Sequence, residues 1–268
     1  MTREKTIAIF GIPRSGTTWL AQIVDSSPRV TYRYQPLFSY AFKDYLNIDS
    51  DPNEYYAFLD AIYESDDEFM HQVKNKKEGH YPHFEKNEVP DVLCFKNTRY
   101  QYLLPKFLAY VDNLKAIGIV RHPCAVLNSW FTTPREFPEG TNPLDVWRDG
   151  SVRNTKPEEA WGFEKWKWAT DIYLSLEEEY PERFRLQNYE NLVENPFEQS
   201  KELFEFLSLE YTNQTNEFII ECHTKHDPHE DAVFKNKSVK DKWKQQLNPT
   251  IQKAVIEELS GTRFERFL

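Results

Sequence analysis

A short apolar run, Ile7-Ala8-Ile9-Phe10, stops at Gly11 and leads through Pro13-Arg14-Ser15-Gly16 into Thr17-Thr18-Trp19-Leu20. This segment constrains the fold more than any other. An apolar run with no polar alternation reads as a strand buried on both faces, as in parallel sheets. Thr17 to Asp25 reads as a helix with Trp19, Leu20 and Ile23 on one side. Strand, glycine loop and helix in succession suit a phosphate: loop amides and the positive helix end both face an anion. Gly11 and Gly16 are five apart, the spacing of the nucleoside-triphosphate loop G-x-x-x-x-G-K-[ST]. Thr17, however, stands where that loop has its lysine. The cation sits inside the loop, at Arg14, and Ser15, Thr17 and Thr18 add neutral hydroxyl donors. Without the lysine that reaches the terminal phosphates, ATP or GTP hydrolysis is disfavoured. A ligand-free strand–turn–helix is the plain alternative. The crowding of arginine, hydroxyls and glycine into one turn speaks against it.

Four more strand candidates follow: Val30–Tyr34, Val92–Lys96, Lys115–Val120 and Phe184–Asn188. Helical patterns lie between them, at Leu103–Val111, Cys124–Trp130 and Glu158–Glu179. This alternation predicts an α/β chain: one P-loop-type domain over residues 1–268, with a central parallel sheet of about five strands flanked by helices. Residues 36–90 and 132–156 break the alternation and are rich in Asp, Glu, Pro, His and aromatics. They read as insertions above the sheet, the first mostly helical and the second a loop, placed to cover an acceptor site.

Composition limits the partners. Asp plus Glu number 43 against 33 Lys plus Arg, a net charge of −10. Such a chain is a poor general binder of nucleic acid or anionic membrane, because phosphate neutralisation needs a basic footprint. A local basic pocket remains compatible. Cys94, Cys124 and Cys222 are odd in number and widely spaced, which argues against a disulfide framework or a structural zinc site. The apolar stretch after the charged N-terminus is too short for a signal peptide, and no run reaches the length of a membrane span. A cytoplasmic location is the expectation.

Two segments together carry a family resemblance. Pro13-Arg14-Ser15-Gly16-Thr17-Thr18-Trp19-Leu20 resembles the 5′-phosphosulfate motif of sulfotransferases that use 3′-phosphoadenosine 5′-phosphosulfate (PAPS). Arg121-His122-Pro123-Cys124-Ala125-Val126-Leu127-Asn128-Ser129 is similar to the family's 3′-phosphate motif, an Arg and a Ser eight residues apart at a strand-to-helix junction. Cys94–Thr98 with Leu103–Lys106, Asn188–Leu192 with Asn195-Pro196, and Phe234–Lys237 with Trp243 resemble further family segments in the right order. The resemblance implies that residues 13–18 hold the 5′-phosphate and sulfonate, with Arg14, Ser15, Gly16, Thr17 and Thr18 as ligands. Trp19, Tyr189 and Thr224 would lie near the adenine. Arg121 and Ser129 would bind the 3′-phosphate, and Lys235 and Lys237 would close over it. The implied function is transfer of a sulfonate from PAPS to a hydroxyl or amine, leaving 3′-phosphoadenosine 5′-phosphate (PAP), with no metal. A small molecule, lipid or neutral sugar suits the acidic chain better than a sulfated polymer. The oligomeric state is not readable.

In an in-line displacement, charge builds on the bridging oxygen, and Arg14 and Lys96 are the cations placed to meet it. The base is the gap. Relatives that act on phenols and steroids have His where this chain has Thr98, and carbohydrate-type relatives have Glu where it has Gln35. Neither is a useful base. His71, His80, His83 and Glu64, in the first insertion, are the candidates to replace them. Two alternatives remain open: a protein that binds PAP or PAPS with little or no catalysis, and a nucleotide kinase on the same fold.

Overall fold

The computed structural model describes residues 4–225, 227, 233–234 and 240–268. Five parallel strands form one sheet: β1 (Lys5–Phe10), β2 (Val30–Tyr34), β3 (Val92–Asn97), β4 (Leu114–Val120) and β5 (Phe184–Asn188), in the order β2-β3-β1-β4-β5. The strand expectations hold to within a residue at each end, except that β1 begins at Lys5. β1 is central, with Ile9 beside Lys96 of β3 and Ile117 of β4. Side chains alternate across the sheet. Ile7, Ile9, Val92, Cys94, Ile117 and Ile119 join one apolar layer. Ala8, Phe10, Leu93, Phe95, Ala116 and Val120 join the other. A strand buried on both faces needs no polar alternation, which is why these runs read as continuous apolar stretches.

The helices that follow the strands are α1 (Thr17–Asp25) after β1 and, after β2, α2 (Pro52–Glu64), α3 (Glu68–His71) and α4 (Val73–Lys77). Next come α5 (Leu104–Tyr110) after β3 and, after β4, α6 (Pro123–Phe131), α7 (Pro143–Val146) and α8 (Gly162–Glu179). The chain ends with α9 (Tyr189–Glu194), α10 (Pro196–Leu207), α11 (Asn213–Thr224), α12 (Trp243–Gln246) and α13 (Pro249–Leu259). α8 begins later than the pattern suggested, after a turn in which the Glu158 carbonyl accepts from the Tyr100 amide.

The first insertion is built into the core instead of standing over the sheet. Asp51 and Glu54 cap α2 reciprocally, and Tyr55, Phe58, Leu59 and Ile62 are fully buried. Arg33 of β2, nearly sequestered, donates to the carbonyls of Ile62 and Tyr63 at 2.6 Å. It thereby satisfies the open C-terminal end of α2. Burial lowers its guanidinium to about 10, so it stays charged. The second insertion is mostly loop and turn, as expected, with the single turn of α7 inside it. Among the described residues, no helix is long and apolar enough to cross a membrane.

Candidate active site

All five strands deliver residues to one cavity at their C-terminal ends, the edge where open parallel sheets bind ligands. Its volume, about 330 Å3, falls in the range of small-molecule sites. β1 leads into the glycine loop, β2 into Tyr34 and Gln35, β3 into Lys96 and Thr98, β4 into Arg121, and β5 into Tyr189.

Arg14 and Gly16 take left-handed backbone conformations, with φ of 70° and 88°. This curls the loop before α1, whose first-turn amides have no acceptor within the helix and point at the cavity end. A Cβ on Gly16 would come within 2.5 Å of the Tyr189 ring. Glycine is therefore needed here twice, for φ and for space. Ser15 is buried, and its hydroxyl has no hydrogen-bond partner among the described residues. An orphaned donor in a loop of this shape fits an anion bound there. Ser15 does not itself line the cavity, whereas Arg14, Gly16, Thr17, Thr18 and Trp19 do.

Lys96 is only 2% exposed. Its ammonium donates to Thr18 Oγ1 at 2.8 Å and lies 4.3 Å from the centre of the Tyr34 ring. A cation so removed from water is held by hydroxyls and an aromatic face, at a site where its charge acts through a low dielectric. Arg14 Nε donates to Ser129 Oγ at 3.0 Å, and Arg14 Nη1 pairs with Glu136 Oε2 at 3.3 Å. Arg121 Nη1 donates to the Arg14 carbonyl at 3.1 Å, and its guanidinium lies over the Tyr189 ring at 4.7 Å. The two motifs of the sequence thus form one wall. Trp19 meets Tyr189 edge to face at 6.2 Å.

Beneath that wall, His122 caps α6 by accepting the Cys124 amide on Nδ1, and it stacks on Trp243 at 4.3 Å. Burial, then the nearby Lys244 and Arg121, pushes its imidazole down to about 4. The His122 amide donates to Glu190, whose carboxyl is raised above the usual range by burial.

Other expected residues lie elsewhere. Thr224 ends α11 and donates back to the Ile220 carbonyl at 3.1 Å, outside the cavity lining. His71 bonds the Ser65 carbonyl, His80 pairs with Asp227, His83 meets the Lys76 carbonyl, and Glu64 is exposed; none of the four lines the cavity. From residues 36–90 only Tyr81 reaches it, because that insertion spends its apolar face on the core. The second insertion supplies Thr132, Arg135 and Glu136. Lys235 and Lys237 lie outside the described residues. Glu136, His223, Lys242 and Gln246 also line the cavity and carried no signal in the sequence. Among the described residues, no group of three or more His, Cys, Asp or Glu could hold a metal ion.

The family profile for the sulfotransferase domain matches residues 4–262. The chain belongs to the sulfotransferase family. Solved sulfotransferases share its fold at low identity. A mouse sulfotransferase complexed with PAP is 14% identical with a TM-score of 0.57, over 99% of this chain and 88% of that one. The sulfotransferase domain of a curacin biosynthetic pathway is 19% identical with a TM-score of 0.56, over 97% and 99%. That of the Synechococcus PCC 7002 olefin synthase is 19% identical with a TM-score of 0.55, over 95% and 94%. No curated protein matches the sequence. Membership assigns the chain to sulfonate transfer as a class of reaction.

Proposed function

We propose that this sulfotransferase takes its sulfonate from PAPS, a substrate, and passes it to a hydroxyl or amine of a small-molecule, lipid or sugar acceptor. The observation that carries the reading is the joined wall of Arg14, Ser129 and Arg121, with Lys96 beside it. A nucleotide with phosphates at both 5′ and 3′ positions needs two anion sites on one surface, and these side chains offer them. Arg121 suits the 3′-phosphate because its planar fork can bind two oxygens at once. Arg14, Lys96 and the α1 amides would bind the 5′-phosphosulfate and meet the charge that builds on its bridging oxygen. Such prepositioned donors each lower a barrier by roughly 3–4 kcal/mol. Trp19 and Tyr189 offer aromatic faces for the adenine. The PAP-bound mouse sulfotransferase supports the same donor. Thr17 in place of the P-loop lysine weighs against a kinase.

Replacing Arg121 tests the assignment. In Arg121→Ala, PAP affinity should fall by about 2 kcal/mol, roughly thirtyfold, the value of a charge-assisted contact. Adenosine 5′-phosphate, which lacks the 3′-phosphate, should bind both proteins alike in calorimetry. Equal losses for the two nucleotides would refute the 3′-phosphate role.

A further inference from the structure

Transfer to a hydroxyl or amine releases a proton, and the residues expected to take it are absent from the cavity or unable to. Thr98 Oγ1 donates to Gln35 Oε1 at 2.8 Å, and neither side chain is basic near neutral pH. Cys222 lines the cavity, but burial pushes its thiol up to about 12. His223 enters from α11 with Nδ1 on the Ile219 carbonyl and its ring against Phe197. Glu136 differs from both. Its carboxylate touches Arg14, the loop cation that would sit beside the bridging oxygen.

Glu136 is also fixed in place. It closes a turn after α6, its amide donating to the Thr133 carbonyl at 2.9 Å and its own carbonyl accepting from Trp130 Nε1 at 3.1 Å. Trp130 is buried and packs on Phe137 at 5.2 Å. Thr133 Oγ1 ties the turn back to the Ser129 carbonyl, the same helical turn whose hydroxyl holds Arg14. The carboxylate is thus presented by a packed element, with about a fifth of the side chain open to water.

We propose that Glu136 is the general base of the transfer. The inference rests on the sulfotransferase reading above. An incoming phosphosulfate competes with Glu136 for the Arg14 guanidinium and frees the carboxylate for the acceptor. The acceptor oxygen or nitrogen then bonds to sulfur while the bond from sulfur to the bridging oxygen breaks. That bond's electron pair leaves on the 5′-phosphate of PAP. The acceptor's proton passes to Glu136 and from there to water.

Glu136→Gln keeps the shape and an oxygen for Arg14 but removes the basicity. PAP affinity by calorimetry reports on the donor site. Labelled-sulfate transfer from PAPS to phenol and to para-nitrophenol reports on the base, since para-nitrophenol is a far stronger acid than phenol and a substantial share of it is already ionised near neutral pH. Glu136→Gln should bind PAP at least as tightly as wild type. Its transfer to phenol should fall by roughly a hundredfold or more, the usual worth of a positioned base. Transfer to para-nitrophenol should fall far less. Equal losses on both phenols, or no loss on phenol, would overturn the proposal. So would selective PAP binding with no transfer to either phenol by the wild-type chain, which leaves the donor-site reading standing. Failure of the wild type to bind PAP would remove that reading and this inference with it.

Discussion

Gly16 shows how much of the site hangs on single atoms. Its φ of 88° costs an L-residue roughly 1–2 kcal/mol. A methyl group there would also meet the Tyr189 ring, which supports the Arg121 guanidinium and the edge of Trp19. Gly16→Ala should therefore lower unfolding stability in urea by at least about 1–2 kcal/mol. PAP affinity should fall with it, because Tyr189 must move. Unchanged affinity would mean that Tyr189 plays no part in shaping the site. The residues legible in the sequence are those whose meaning is local: Arg14, Gly16, Lys96, Arg121 and Ser129 sit at strand ends or in the first turns after them. Glu136 was not legible, because its importance comes from Arg14, 122 positions away, and nothing in Thr133–Glu136 marks that meeting. Ser129, expected as a phosphate ligand, lines the cavity and accepts from Arg14 Nε.

At the scale of elements, the junction of β4 and α6 carries a titration. His122 has an imidazole lowered to about 4 from its ordinary 6.5, so it is neutral in the folded chain. The sign follows from linkage: between those values the unfolded chain binds more protons, so stability is complete above pH 6.5 and is lost as pH falls toward 4. The loss can reach about 3 kcal/mol for this group. The Asp241 carboxylate opposes it, and Glu190, with its raised carboxyl, titrates in the opposite sense. His122→Asn keeps an N-cap acceptor and leaves those neighbours in place. Its stability, followed by urea unfolding across that window, should fall less steeply with acid than that of wild type. Identical slopes would mean that His122 is not held neutral. The same scale explains a misreading. Tyr55, Phe58, Leu59 and Ile62 are spaced as the buried face of a helix, so the sequence did contain the signal that α2 belongs to the core. The polar and acidic residues between them drew the reading toward a cover over the site.

For the whole molecule, charge is distributed against its sum. The chain carries −10 overall, yet Arg14, Lys96, Arg121, Arg135 and Lys242 converge on one cavity where Glu136 is the one acidic side chain among the described residues. Composition excluded a general polyanion binder, and the fold concentrates cations at the one edge where a small anion can reach them. Parallel topology was legible because apolar runs and glycine breaks are local; the convergence of five strand ends follows from that topology. The contributions of His223 in α11 and Gln246 in α12 depend on tertiary packing and carry no local mark. The most direct test of the central claim is a thermal-shift comparison of PAP with ATP and magnesium on the wild-type chain. At 100 times its dissociation constant, a ligand adds about 2.7 kcal/mol of stability. PAP should raise the melting temperature at concentrations where ATP with magnesium does not. Stabilisation by ATP with magnesium in preference to PAP would contradict the assignment of the cavity to a 3′-phosphorylated nucleotide.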